Sequence, residues 1–151
     1  MRGLLDVNVL IALLDSAHVD HRLAMTWLGR NIGQGWASCP ITQLGCIRIM
    51  SQPAYPNAQP AASVAERLRL AAADRHHEFW SADVDPLASE PVNWTGVLGS
   101  RHATDAYLLA LAAARGGRFV TFDRHVPLAA VPTAGSRHLA IIDGVGEQLL
   151  D

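Results

Sequence analysis

The sequence predicts an α/β fold: one domain over residues 1–151, built as a sandwich in which a mostly parallel sheet carries helices on both faces. Three observations predict it. Short apolar runs bounded by turn residues alternate along the chain with segments of helical spacing. Half of the 151 residues are hydrophobic and 17% are charged, a composition that fills one core. Apolar runs such as "RGLLD" and "RFVTFD" end on an aspartate, where a strand would leave its sheet.

The elements follow in order. "RGLLD" reads as a short buried strand, and "NVLIALLD" as a helix whose first turn Asn8 can cap. Leu23, Trp27, Leu28 and Ile32 lie at helical spacing in residues 18–32, which end near Gly33. "GWASCP" is a second strand. "ITQLGCIRIM" spaces Ile41, Leu44, Ile47 and Met50 three apart, one apolar stripe of a helix that stops before Pro53. "PAYPNAQP" is a loop, and a helix through Val64 and Leu68 follows it. "HEFWSAD" is a third strand, and "VDPLASEPVNWTGVLGS" an irregular connection. Residues 102–115 form the clearest helix, closed by Gly116 and Gly117. "RFVTFD" and "HLAIID" supply the fourth and fifth strands.

Composition removes several functions. All twelve basic residues are arginine. A Walker A phosphate loop, a Schiff-base enzyme, a receiver domain and a haloacid dehalogenase-type phosphatase each need a lysine that is absent. The net charge of -2 argues against a bulk nucleic-acid coat protein but leaves room for a local arginine patch. Apolar runs such as "YLLALAAA" fall short of the roughly 20 residues that span a bilayer, so the expectation is a cytoplasmic protein without a membrane partner. Cys39 and Cys46 fit neither a CxxC motif nor a disulfide framework and read as buried free thiols. The pairs His18 with His21 and His76 with His77 lack a third ligand in helical register, which disfavours zinc. Trp36, Trp80 and Trp94 read as core or interface aromatics.

The acids carry the chemistry. Asp6 interrupts the apolar stretch "LLDVNVLIAL", and a carboxylate taken out of water costs several kcal/mol unless it is paired, hydrogen-bonded or bound to a metal. Asp123 ends the fourth strand, and Asp105 sits in the first turn of the helix that feeds it. Ligands of open parallel sheets bind beyond the carboxyl ends of the strands, so the three carboxylates are expected to meet at one rim. Two anions about 4 Å apart repel by roughly 4 kcal/mol at an effective dielectric near 20. A divalent cation resolves that, and an all-oxygen donor set suits Mg²⁺ or Mn²⁺, which can activate water against a phosphodiester.

"LLDVNVLIAL", "HATDAYLLALA" and "RFVTFD" together resemble the PIN-domain ribonucleases, and within them the VapC toxins of type II toxin-antitoxin pairs. The motifs occur in the family's order and span nearly the whole chain. The resemblance implies a PIN-like three-layer sandwich, Mg²⁺-dependent endoribonuclease activity on RNA, a cognate VapB-like antitoxin that masks the toxin, and a homodimer. It assigns Asp6, Asp105 and Asp123 as catalytic and metal-binding residues, with Asn8, Thr42 and Thr121 as supporting polar groups. Arg48, Arg101, Arg124 and His102 are candidate RNA contacts, against solvated surface roles for each arginine. Where many PIN domains carry a glutamate three residues after the threonine of the third helix, this chain has Gly45 after Thr42. The fourth acid is missing, which bears on whether one metal or two are held. It also keeps open a second reading, a catalytically weak PIN-fold module that binds RNA or a partner without cutting.

Overall fold

Five short runs pair side by side: β1 (Gly3–Leu5), β2 (Trp36–Ser38), β3 (His77–Phe79), β4 (Arg118–Thr121) and β5 (Leu139–Ile141). In the computed structural model, which describes residues 1–144, they form one sheet in the order β3-β2-β1-β4-β5, and every neighbouring pair is parallel. Residues 145–151 of the predicted domain lie outside the described ones. Parallel neighbours need long crossovers. Helices α1 (Val7–Leu14) and α2 (His21–Asn31) join β1 to β2, α3 (Pro40–Met50) and α4 (Ala61–Ala72) join β2 to β3, and α5 (Ala103–Ala114) precedes β4. The β4–β5 connection has only short 3-10 turns. No described helix is long and apolar enough to cross a membrane.

Period-two alternation sorts the strand residues onto two faces. Leu4, Ala37 and Phe119 pack with Leu108, Leu109 and Leu111 of α5. Leu5, Trp36 and Val120 pack on the other face with Val9 and Leu10 of α1, Cys46 and Met50 of α3, and Val64 and Leu68 of α4. Trp36 and Trp80 are core residues, and Cys39 and Cys46 are buried free thiols. Both predicted helical layers are present, with α5 on one side.

Two local expectations change and a third holds. The cap of α1 is Asp6, not Asn8: Asp6 is extended at φ −61° and ψ 157° and its side chain accepts the Val7 N–H, while Asn8 is an exposed residue inside the helix. On α3 the buried residues are Thr42, Cys46 and Met50, and Leu44 is 65% exposed. At 3.6 residues per turn a spacing of three slips by about 60° per step, so a stripe at 41, 44, 47 and 50 winds off the core face, whereas a spacing of four stays on it. Finally, α5 ends in a Schellman arrangement: Gly116 takes φ 64°, its N–H donates to Ala113 O and that of Gly117 to Ala112 O. That turn delivers the chain directly into β4.

Gly45 has a packing role. A Cβ at this position would lie 2.6 Å from Val7 Cγ2, so α3 passes α1 with no room for a side chain between them. Position 45 is therefore closed by Val7 and is not an open ligand position. Ala normally gains about 1 kcal/mol over Gly inside a helix. Here Gly45→Ala is expected to destabilise the fold by about 1–3 kcal/mol through overpacking. In a Val7→Ala background the same change should become stabilising. Urea denaturation of the four proteins of this cycle checks it, and the same sign in both backgrounds would rule out the Val7 contact as the cause.

Candidate active site

The site begins where β1 becomes α1. The Asp6 N–H donates to Val120 O at 2.9 Å, extending the β1–β4 ladder by one step and setting Asp6 beside Thr121. Its side chain is held at both oxygens: the Val7 N–H donates to Oδ1 at 2.7 Å and the Thr121 hydroxyl donates to Oδ2 at 2.7 Å. The same Thr121 oxygen accepts the Asp123 N–H at 3.1 Å. Asp123 Oδ1 in turn accepts the His125 N–H at 2.8 Å, which fixes the turn after β4. One hydroxyl thus ties the side chain of Asp6 to the backbone of Asp123.

Asp105 comes from the opposite layer, in the first turn of α5, with His102 one turn before it. His102 Nδ1 and Asp105 Oδ2 are 3.9 Å apart, both side chains being largely buried. One ligand atom each from His102, Asp105 and Asp123 lie within 4.8 Å of one another, a group able to hold a metal ion.

The carboxylates work against one another. Burial, followed by the charges of Asp6 and Asp123, pushes Asp105 up to about 6. Asp6 is also raised: loss of water outweighs the Thr121 and Val7 hydrogen bonds that favour its charged form, and Asp123 adds to the rise. Nearby anions with raised protonation and a buried imidazole nitrogen, His102 Nδ1, that has no hydrogen-bond partner among the described residues make a donor set that a divalent cation fits.

The other predicted residues divide. Thr121 is 1% exposed and sits at the centre of the arrangement. The Thr42 hydroxyl is committed to the start of α3, accepting the Cys39 N–H at 3.0 Å and donating to Cys39 O at 3.1 Å, so it serves that helix. Asn8 is exposed and its side chain makes no hydrogen bond among the described residues. Arg48, Arg101 and Arg124 are exposed, and Arg101 and Arg124 directly adjoin His102 and Asp123 in the chain. The other histidine pairs are used locally: His18 accepts the Asp20 N–H, His21 contacts Ala12 O, His76 contacts Asp74 and His77 contacts the Ser38 hydroxyl. Sequence reasoning set His102 one turn before Asp105 as a candidate contact and missed that it also lies close to Asp123. The His-x-x-Asp spacing at the start of α5 signals the first proximity, not the second.

The family model for the PIN domain matches residues 3–132. Ribonuclease VapC44 of Mycobacterium tuberculosis (strain ATCC 25618 / H37Rv) is 51% identical over 142 residues, covering 94% of this chain and 100% of the relative. Ribonuclease VapC39 of the same strain is 40% identical over 125 residues, covering 82% of this chain and 89% of the relative. Among solved structures, a chain from the crystal structure of VapBC2 from Rickettsia felis bound to a DNA fragment from their promoter superposes with a TM-score of 0.59. It is 12% identical and covers 95% of this chain and 100% of that one, so it speaks for the fold.

The acid repulsion has a measurable sign. Between the ordinary value of 3.8 and about 6, folded Asp105 keeps a proton that the unfolded chain has released. Stability therefore falls as pH rises through that window, and above it the full cost, on the order of 2–3 kcal/mol, is present. In chelator, Asp105→Asn is expected to be more stable than the wild type above pH 6, with the difference shrinking towards zero near pH 4. Thermal or urea unfolding across pH checks it; a difference independent of pH would mean that burial and the neighbouring acids do not raise Asp105.

Proposed function

The chain belongs to the PIN-domain family, in its VapC ribonuclease branch, and from that premise we propose that it is a divalent-metal-dependent endoribonuclease toxin held in check by a VapB-like antitoxin. The observation that supports the reading is that ligand atoms of Asp105 and Asp123, with His102 beside them, lie within 4.8 Å of one another, while the charges of Asp6 and Asp123 both bear on Asp105. In this reading Asp6, Asp105 and Asp123 hold Mg²⁺ or Mn²⁺. Such a cation, when bound, makes water nucleophilic at neutral pH and offsets charge that builds on the phosphate during displacement.

The chain's own groups account for the rest. Thr121 keeps Asp6 in one orientation and fixes the turn that presents Asp123. The rigid start of α5 presents Asp105, whose neighbours favour its protonated form until a cation compensates them. Arg101 and Arg124 flank the acids in sequence and offer guanidinium groups to RNA phosphates, with Arg48 on α3 as a further contact. A VapB-like partner that covers this rim would exclude RNA, which is the basis proposed for neutralisation in the cytoplasm. The toxin is taken to act as a homodimer.

Purified protein freed of antitoxin is expected to cleave single-stranded RNA with Mg²⁺ or Mn²⁺ and to stop in chelator. Asp6→Asn, Asp105→Asn and Asp123→Asn should each lower the rate by about 100-fold or more while remaining folded, consistent with loss of several kcal/mol of charge stabilisation. In cells, expression of the wild type should slow growth and co-expression of the antitoxin should restore it. RNA binding without cleavage, together with equal growth of wild-type and Asp6→Asn cells at matched protein levels, would support the alternative of a binding module.

A further inference from the structure

The group that faces Asp105 and Asp123 includes a nitrogen, and this points beyond an all-oxygen site. Resting on the metal site proposed above, we propose that His102 is a direct ligand, through Nδ1, of the divalent cation held by Asp105 and Asp123, so that the site is a mixed imidazole and carboxylate one.

Three observations converge on it. His102 Nδ1 is buried and has no hydrogen-bond partner among the described residues, a state that costs a polar atom about 1–3 kcal/mol unless something else satisfies it. Its separation of 3.9 Å from Asp105 Oδ2 is too long for a hydrogen bond, and a ring nitrogen of His102, an Asp105 oxygen and an Asp123 oxygen lie within 4.8 Å of one another. A small cation satisfies all three at once. Secondly, α3 carries no carboxylate or imidazole: position 45 is closed by Val7, and the Thr42 hydroxyl is consumed by Cys39. A further ligand of either kind comes from another element. Thirdly, His102 caps α5 and lies one turn from Asp105, so both side chains are carried by one helix whose next residues are fully buried.

The consequence is a change in ion preference. Carboxylate and water sites suit Mg²⁺, whereas imidazole nitrogen favours transition ions such as Fe²⁺, Co²⁺ and Ni²⁺, with Mn²⁺ the weakest of that series, over Mg²⁺. His102 would take, from the opposite layer of the sandwich, the place of the acid that α3 lacks.

The full-length protein, free of antitoxin and RNA, is loaded with one equivalent of Mn²⁺ and its pulsed electron paramagnetic resonance recorded, alongside calorimetric titration with Mn²⁺ and with Mg²⁺. The wild type should show ¹⁴N coupling from a directly bound imidazole. His102→Gln should abolish that coupling and weaken Mn²⁺ binding by about tenfold or more, with a change of less than about threefold for Mg²⁺. His125→Ala, a histidine next to the acids whose backbone alone contacts Asp123, should leave the coupling in place. Mn²⁺ that binds the wild type, is lost in Asp123→Asn, and shows no ¹⁴N coupling would overturn the ligand role of His102 while leaving the acidic site standing. Coupling that persists in His102→Gln and vanishes in His125→Ala would assign the nitrogen to His125 and overturn it as well. Absence of any Mn²⁺ binding by the wild type would remove the metal site and this ligand together.

Discussion

A carboxylate buried at the end of the central strand is the constraint on which the arrangement depends. Asp6 is 8% exposed, and its charged form is tolerable only because two donors reach it, one from the first peptide of α1 and one from Thr121 on β4. Meeting both requires β1 and β4 to be neighbours in the register Leu5 opposite Val120, and it requires α1 to start immediately after the strand. The α1 cap, the central strand pair and the placement of Asp123 are thus consequences of holding a single side chain. A slip of one residue between β1 and β4 would send Thr121 to the opposite face and leave the carboxylate unsatisfied.

Those requirements also explain why the acids sit as they do. Asp6 and Asp123 belong to the sheet and are joined through one hydroxyl, whereas Asp105 is brought in by α5, which packs against the sheet through a fully apolar set of residues. The core of α5 therefore determines how close the third carboxylate comes to the other two. Burial, followed by the charges of Asp6 and Asp123, raises Asp105 to about 6, a cost that the apolar packing of the helix sustains.

Much of this was legible in the residues. The strands announced themselves because each is a brief apolar run ending in turn or polar residues, and Asp6 stood out because a charge inside such a run needs a reason. The helix of residues 102–115 was legible because Gly116 and Gly117 close it, and they do so by the hydrogen-bonding pattern that glycine there permits. Other features were not. Asp6 and Asn8 are both good cap formers, and only the backbone shows that the helix starts at Val7. Leu44 looks like a core residue by composition, but the helical rotation turns it outwards. Gly45 reads as a missing acid when taken alone; that Val7 occupies its space depends on where two helices cross, which no local pattern encodes. His102 was seen near Asp105 along one helix, but its proximity to Asp123 arises only once β4 is in place.

The Thr121 to Asp6 hydrogen bond spans almost the whole chain, and this bears on when during synthesis the acidic site can exist. β1 is made first, yet β4, the neighbour that satisfies its terminal carboxylate, is among the last elements to be added. Closing so long a loop is slow, and the contacts that reward it come only afterwards. A growing chain that ends before β4 therefore has Asp6 without its Thr121 partner and lacks Asp123 altogether. The order of the strands delays assembly of the acidic cluster until translation has passed residue 123, so a nascent or truncated chain lacks the complete group of acids.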